Sequence, residues 1–314
     1  MTPDAGTRPP SGLALLRKPE GITSFHALAP VKRAIGSGKV GHAGTLDRFA
    51  SGLLVALAGS YSRLAPFVTS GEKLYRGIIA FGSETDTLDP DGKVIAEAQP
   101  PSTQCLQDAL PAFRGRILQK PPEYSAVHVG GRRAYQIAIA GGQPDLKERA
   151  VEVFSLDLLS FEGGEALVAV RCSSGTYIRS LARDIARACG SRAHLRSLQR
   201  LAIGPFRVED AVDPEAFDPR IDLRALRRED ARVLGLRAIG LEDPRQTTRF
   251  RNGGRIEPEA FSILDGGTSA VDCEAAVFGR NGELLGIASL CAEGPAYRLV
   301  MPLSADAASA ERDV

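Results

Sequence analysis

The amino-acid sequence predicts an α+β fold: a large mixed sheet with helices, then a small β-rich module. Three observations predict it. Segments rich in β-branched and aromatic residues at 73–81, 151–159 and 165–172 read as strands, the last two joined by a turn at Gly163-Gly164. The stretch after Tyr177 has a helical period, with Ile178, Leu181 and Ile185 on one apolar stripe. Composition shifts after about residue 218, and three further strand candidates fall within 270–303, around an Asn281-Gly282 hairpin signal.

A chain of 314 residues has the length for roughly two domains. The expected division is a disordered tail at 1–12, a large domain at 13–230 and a small β-rich domain at 231–314. Net charge is +1, so total charge identifies no partner and local charge must. The five cysteines, Cys105, Cys172, Cys189, Cys273 and Cys291, form no CxxC pair and have no metal-ligand spacing. They read as reduced thiols inside a cell. The polar, Pro-rich start is unlike a signal peptide, and no apolar run approaches the roughly 20 residues of a membrane span. The expectation is a cytoplasmic protein with no metal and no membrane contact.

In chain order, residues 12–16 read as a short strand and 18–21 as a turn. Thr23 or Ser24 can cap a helix running to about Ile35, which Pro30 would disturb unless the helix starts late. The stretch 41–54, GHAGTLDRFASGLL, is the centre of the chain: its glycines permit turns, it presents Asp47, and it runs into apolar residues 53–67. Taken alone, an Asp in this setting is more often a helix N-cap than a catalyst. The acidic loop 84–91 carries Asp-Pro and Asp-Gly turn signals, and Ser102 can cap a helix toward Phe113. Pro121-Pro122 keeps the segment QKPPEYSA at 119–126 extended, as a loop crossing a cleft would be, and residues 132–141 read as helical.

Seven arginines and a single acid, Asp184, fall between positions 179 and 207. Arg179, Arg183 and Arg187 recur every four residues, and Arg192, Arg196, Arg200 and Arg207 extend the run. One such helix would be a solvated face. Sustained over this length, the run reads as an RNA-phosphate surface, with Arg183, Arg187, Arg192 and Arg196 as the backbone contacts.

Five ordered stretches then agree: KPEGITS at 18–24, GHAGTLDRFASGLL at 41–54, KLYRG at 73–77, RCSSGTYIRSLARDIA at 171–186 and GSRAHLRSLQRLAIGPF at 190–206. Together they resemble the TruB family of bacterial tRNA pseudouridine-55 synthases, over about residues 13–303. The resemblance implies a pseudouridine synthase catalytic domain with a PUA-like C-terminal domain that binds RNA. It implies isomerisation of a uridine in the T loop of tRNA, with base flipping, by a monomeric enzyme that needs no cofactor. By position, Asp47 matches the catalytic aspartate and His42 a histidine associated with the flipped base. Tyr75 matches a tyrosine against the target uracil, Tyr177 and Leu198 match residues of the base pocket, and Arg179 matches an arginine paired with the carboxylate. Lys18 and Pro19 match a motif of structural character. The sequence departs from the family pattern at Ala43, Arg48 and His128, and Phe49 is bulky at a variable position.

The residue types suit this chemistry. A carboxylate can start the reaction by adding to the base, by attacking the sugar C1′ or by assisting loss of a sugar proton. Burial would raise its pKa, and a guanidinium would lower it while gripping both oxygens. Arg179 otherwise reads as a structural ion pair, His42 as a turn residue, Tyr75 as a half-buried strand tyrosine, and Tyr177 and Leu198 as core. Two other functions fit the sequence: a tRNA-binding or tRNA-folding module in which catalysis is secondary, and a nucleoside glycosidase. The latter generally uses two acids, and the 84–91 loop reads as turn chemistry.

Overall fold

A computed structural model of the chain describes residues 10–36, 38–233, 235–264, 274–290 and 297–302. Most of the expected tail, along with Cys273 and Cys291, lies outside the described residues.

The strands are β1 Gly12–Lys18, β2 Val40–Ala43, β3 Ser51–Ala58, β4 Lys73–Phe81, β5 Ser83–Thr85, β6 Val94–Glu97, β7 Gly115–Gln119, β8 His128–Val129, β9 Arg132–Arg133, β10 Arg149–Glu162, β11 Glu165–Cys172, β12 Ala193–Ile203, β13 Phe206–Arg207, β14 Arg237–Gly240, β15 Ser262–Ile263, β16 Glu274–Phe278, β17 Leu284–Leu290 and β18 Tyr297–Pro302. The helices are α1 Ser24–Ala27, α2 Ala29–Ile35, α3 Ala65–Ser70, α4 Thr103–Ala109, α5 Ala134–Ile139, α6 Ile178–Ala188, α7 Arg228–Val233 and α8 Pro244–Arg251.

A nine-stranded sheet runs β1-β3-β12-β4-β11-β10-β7, with β2 beside β3 and β13 beside β12. It is mixed: β12 lies parallel to β3 and antiparallel to β4. The middle is buried on both faces, which accounts for the near-continuous apolar run in β3. Leu53, Val55 and Leu57 face one core, with Leu13 and Leu15 of β1, whereas Leu54, Ala56 and Ala58 face α1 and α2. A third core packs Ile178, Leu181, Ala182 and Ile185 of α6 onto Ile79, Val168, Val170 and Leu195 of the sheet.

The second sheet, ordered β15-β14-β16-β17-β18, turns between β16 and β17 at Asn281-Gly282, where Gly282 has φ of 78°. Its side chains Ala238, Ala276, Phe278 and Ile287 share one core with Leu13, Leu53 and Leu57 of the large sheet. The two sheets are thus joined by continuous apolar packing.

Two local expectations change. The helix expected up to Ile35 is two helices: Thr23 caps α1 by accepting from the His26 amide, and α2 begins late with Pro30 in its first turn. Residues 40–43 form strand β2 instead of loop. The helix after Tyr177 ends at Ala188, and β12 takes 193–203 into the middle of the sheet.

Candidate active site

The loop between β2 and β3 carries Asp47, and the KPEGITS segment is its cradle. Lys18, fully buried, donates through Nζ to the carbonyls of Pro19, Arg48 and Ala50. Burial lowers its pKa to about 8, and the charge of Asp47 is the largest opposing influence. Ser24 Oγ takes the Leu46 amide at 2.9 Å and donates to the Leu46 carbonyl at 3.1 Å. The Gly21 amide donates to the Arg48 carbonyl at 2.9 Å, and Arg48 Nε returns a bond of 2.8 Å to the Gly21 carbonyl. Arg48, one of the departures, therefore ties the loop to its cradle.

From below, Arg200 holds the same loop. Its side chain is only 1% exposed; Nη2 donates to the Gly44 carbonyl at 2.8 Å and Nε to the Leu53 carbonyl at 2.8 Å. Register puts Arg200 directly opposite Tyr75 on the antiparallel β12–β4 pair, and opposite Gly52 on the parallel side. Gly52 must lack a side chain: its φ is 103°, and a Cβ would lie 2.3 Å from the Arg200 carbonyl oxygen. Burial raises the Tyr75 pKa and the Arg200 guanidinium acts against the rise, so the phenol is protonated at neutral pH.

Arg179, in the first turn of α6, reaches Asp47 from above. Its Nη2 donates to Asp47 Oδ1 at 3.2 Å, and Nε lies 2.9 Å from Oδ2. The arginine is 4% exposed and the carboxylate 40%, so one end of the pair faces the cavity. The same guanidinium meets Asp89 Oδ2 at 3.3 Å and donates to the carbonyls of Thr87 at 2.7 Å and Tyr124 at 2.9 Å. Burial raises the Asp89 pKa, against the Thr87 hydroxyl and Arg179. The acidic loop thus does more than turn. It delivers a second carboxylate to Arg179, and the QKPPEYSA loop delivers a carbonyl.

Six expected residues, His42, Asp47, Tyr75, Tyr177, Arg179 and Leu198, line one cavity of about 760 Å³. Tyr177 is pinned at the start of α6 by Gln119, which accepts its amide at 2.8 Å and donates to its carbonyl at 3.2 Å. Arg149 lies 4.8 Å from the Tyr177 ring centroid. His42 has its pKa lowered, first by burial and then by Arg200 and Lys32, so it is neutral at neutral pH.

The four expected phosphate-binding arginines do not line this cavity. Arg183 is 9% exposed and binds Asp184 and the Lys120 carbonyl, Arg187 and Arg192 face Glu84, and Arg196 pairs with Glu165. The four-residue spacing of Arg179, Arg183 and Arg187 docks the 84–91 and 119–126 loops onto α6. Asp89, Arg200, Ser24 and Gln119 were not expected in the site. Arg200 left a trace in the sequence, as a charged residue in register with the inward apolar positions Leu198 and Ala202 of β12.

The mixed sheet thus presents one half-exposed carboxylate, held by a guanidinium beside a tyrosine at a cavity wall, the arrangement that the resemblance to pseudouridine synthases implies. The comparisons agree. Residues 32–178 match the description TruB family pseudouridylate synthase (N terminal domain). The chain is 42% identical over 205 residues to a tRNA pseudouridine synthase B of Borreliella burgdorferi (strain ZS7), covering 64% of this chain and 73% of that protein. It is 41% identical over 235 residues to a tRNA pseudouridine synthase B of Bordetella avium (strain 197N), covering 72% and 96%. In fold it is similar to a chain of an H/ACA RNP bound to a substrate RNA containing 2′-deoxyuridine, with a TM-score of 0.70 at 20% identity over 93% of this chain and 85% of that one. The chain belongs to the TruB family of pseudouridylate synthases.

Proposed function

We propose that this enzyme isomerises the uridine at position 55, in the T loop of tRNA, to pseudouridine, with Asp47 as the catalytic carboxylate and the target base flipped into the cavity. The observation that carries the reading is the Arg179 grip on Asp47 at the cavity wall. The names of the relatives support tRNA as the substrate, and the position within tRNA rests on the family resemblance.

The reaction balances without oxidant or cofactor. The N1–C1′ bond breaks, the base rotates, the C5–C1′ bond forms, C5 loses its proton and N1 gains one. A base inside a folded T loop must leave its stack to bring C1′ or C6 to Asp47. Tyr75 offers a flat face to the uracil, and Leu198 and Tyr177 complete the pocket. His42, neutral at the rim, contacts the flipped nucleotide or fills the space it vacates. Arg179 keeps the carboxylate aimed while water is displaced.

In this reading residues 13–230 carry the catalysis, and 231–314 add RNA-binding surface beside it. The protein acts as a cytoplasmic monomer on the T arm. Among the described residues no helix is long and apolar enough to cross a membrane.

Loss of the C5 proton gives the test. A tRNA transcript carrying tritium at uridine C5 releases tritium to water on isomerisation, and no free uracil. Tritium release of one per tRNA supports the reading. Free uracil would mean glycosidase chemistry, and RNA binding with neither product would mean an RNA-folding module.

A further inference from the structure

Large apolar side chains exposed on this protein include Phe25, Val94, Ile95, Leu118, Ile139 and Ile221, and among them only Phe25 lines the catalytic cavity. Phe25 is 67% exposed and stands on α1, in the cradle of the Asp47 loop. The Lys32 ammonium lies 4.4 Å from the ring centroid, on one face, and the His26 ring meets it edge-on at 6.2 Å. The remainder of the ring is open to solvent. Lys32 also bears on the rim histidine, since its charge helps to lower the His42 pKa. A half-free aromatic ring with an ammonium beside it therefore sits where RNA would enter.

We propose that Phe25 and Lys32 form a subsite for the nucleotide next to the target uridine, whose base stacks on the open face of Phe25 while Lys32 faces its phosphate. The proposal rests on the reading of the cavity as an RNA uridine site. When one base leaves a loop's stack, its neighbour loses a stacking partner. An aromatic face replaces that partner for any base, because every base has a π-face, and an adjacent cation offsets the backbone charge. The ring stays water-exposed in the free protein because the fold buries α1 through Ser24 and Ala27. It needs no refolding to serve as a platform.

The test uses the full-length protein and a T-arm stem-loop RNA carrying 2-aminopurine at each position flanking the target in turn. Stacking on an aromatic ring quenches this base. The wild type is expected to quench it at one flanking position. Phe25→Ala should abolish that quench and weaken binding roughly 5- to 150-fold, the range for loss of one base–aromatic stack. Phe25→Trp should restore both. The loss should fall on KM more than on the single-turnover rate at saturating RNA. Equal quenching and affinity in wild type and Phe25→Ala would overturn the subsite. So would an equal loss in Phe25→Ala and Phe25→Trp. The tritium assay on the wild type reports separately on the isomerase reading: release without a Phe25-dependent quench rejects the subsite alone.

Discussion

Replacing Arg179 by lysine should remove most of the turnover and leave RNA affinity nearly intact. The guanidinium makes two contacts to Asp47, one to Asp89 and one each to the carbonyls of Thr87 and Tyr124. A lysine ammonium has three hydrogens on one atom and cannot reproduce a planar fork. At least two of these contacts are lost, and pairing the Nη2 hydrogen bond to Oδ1 with the ion contact of Nε to Oδ2 needs the fork. A misplacement of about 1 Å at a reacting centre can cost on the order of a hundredfold in rate. Each buried acceptor left unpaired costs about 1–3 kcal/mol, so Tm falls as well and rates must be compared well below it. RNA affinity should change less than about threefold, because charge is conserved and a side chain 4% exposed does not meet phosphate. Single-turnover kinetics with a T-arm RNA, beside a binding titration, separates the two effects. A single-turnover rate within threefold of wild type would refute the reasoning. So would weakened binding with an intact rate, which would make Arg179 a phosphate contact.

Gly52→Ala should destabilise the fold by at least about 2 kcal/mol in urea denaturation, because φ of 103° and the Arg200 carbonyl exclude a side chain; an unchanged midpoint would contradict this. His42 has a folded pKa below its usual 6.5, so the unfolded chain binds more protons just below that pH and stability falls as pH drops through the window. Thermal melts from pH 7 to 5 should show a steeper loss in wild type than in His42→Gln. Activity should survive EDTA and dialysis, since isomerisation balances without an added electron or nucleotide; restoration by a divalent cation alone would count against this.

Strands were legible from β-branched and aromatic content at 73–81, which is β4, and from alternation ahead of a turn at 165–172, which is β11. The six cavity residues were legible because the resemblance names positions within motifs and the fold gathers those motifs. Asp89 was not legible. Its Asp-Pro neighbourhood satisfies every local rule for a turn, and only the long-range docking of the loop on α6 gives it Arg179 as a partner. The protein partners of the arginine run were not legible for the same reason. Spacing along the chain gives a helical face, but whether that face meets water or a loop depends on where the 84–91 and 119–126 loops cross it. Arg200 shows a further limit: residue type suggested a surface, while the strand register placed it at the centre of the sheet.

The central claim is that Asp47 converts a T-loop uridine to pseudouridine. Mass-spectrometric mapping of a tRNA transcript incubated with purified wild-type protein and with Asp47→Asn, without added cofactor or metal, tests it most directly. Pseudouridine is expected at position 55 with the wild type and none with Asp47→Asn, while the variant still binds the transcript. Pseudouridine formed by Asp47→Asn at a rate near that of the wild type, or none formed by the wild type, would contradict it.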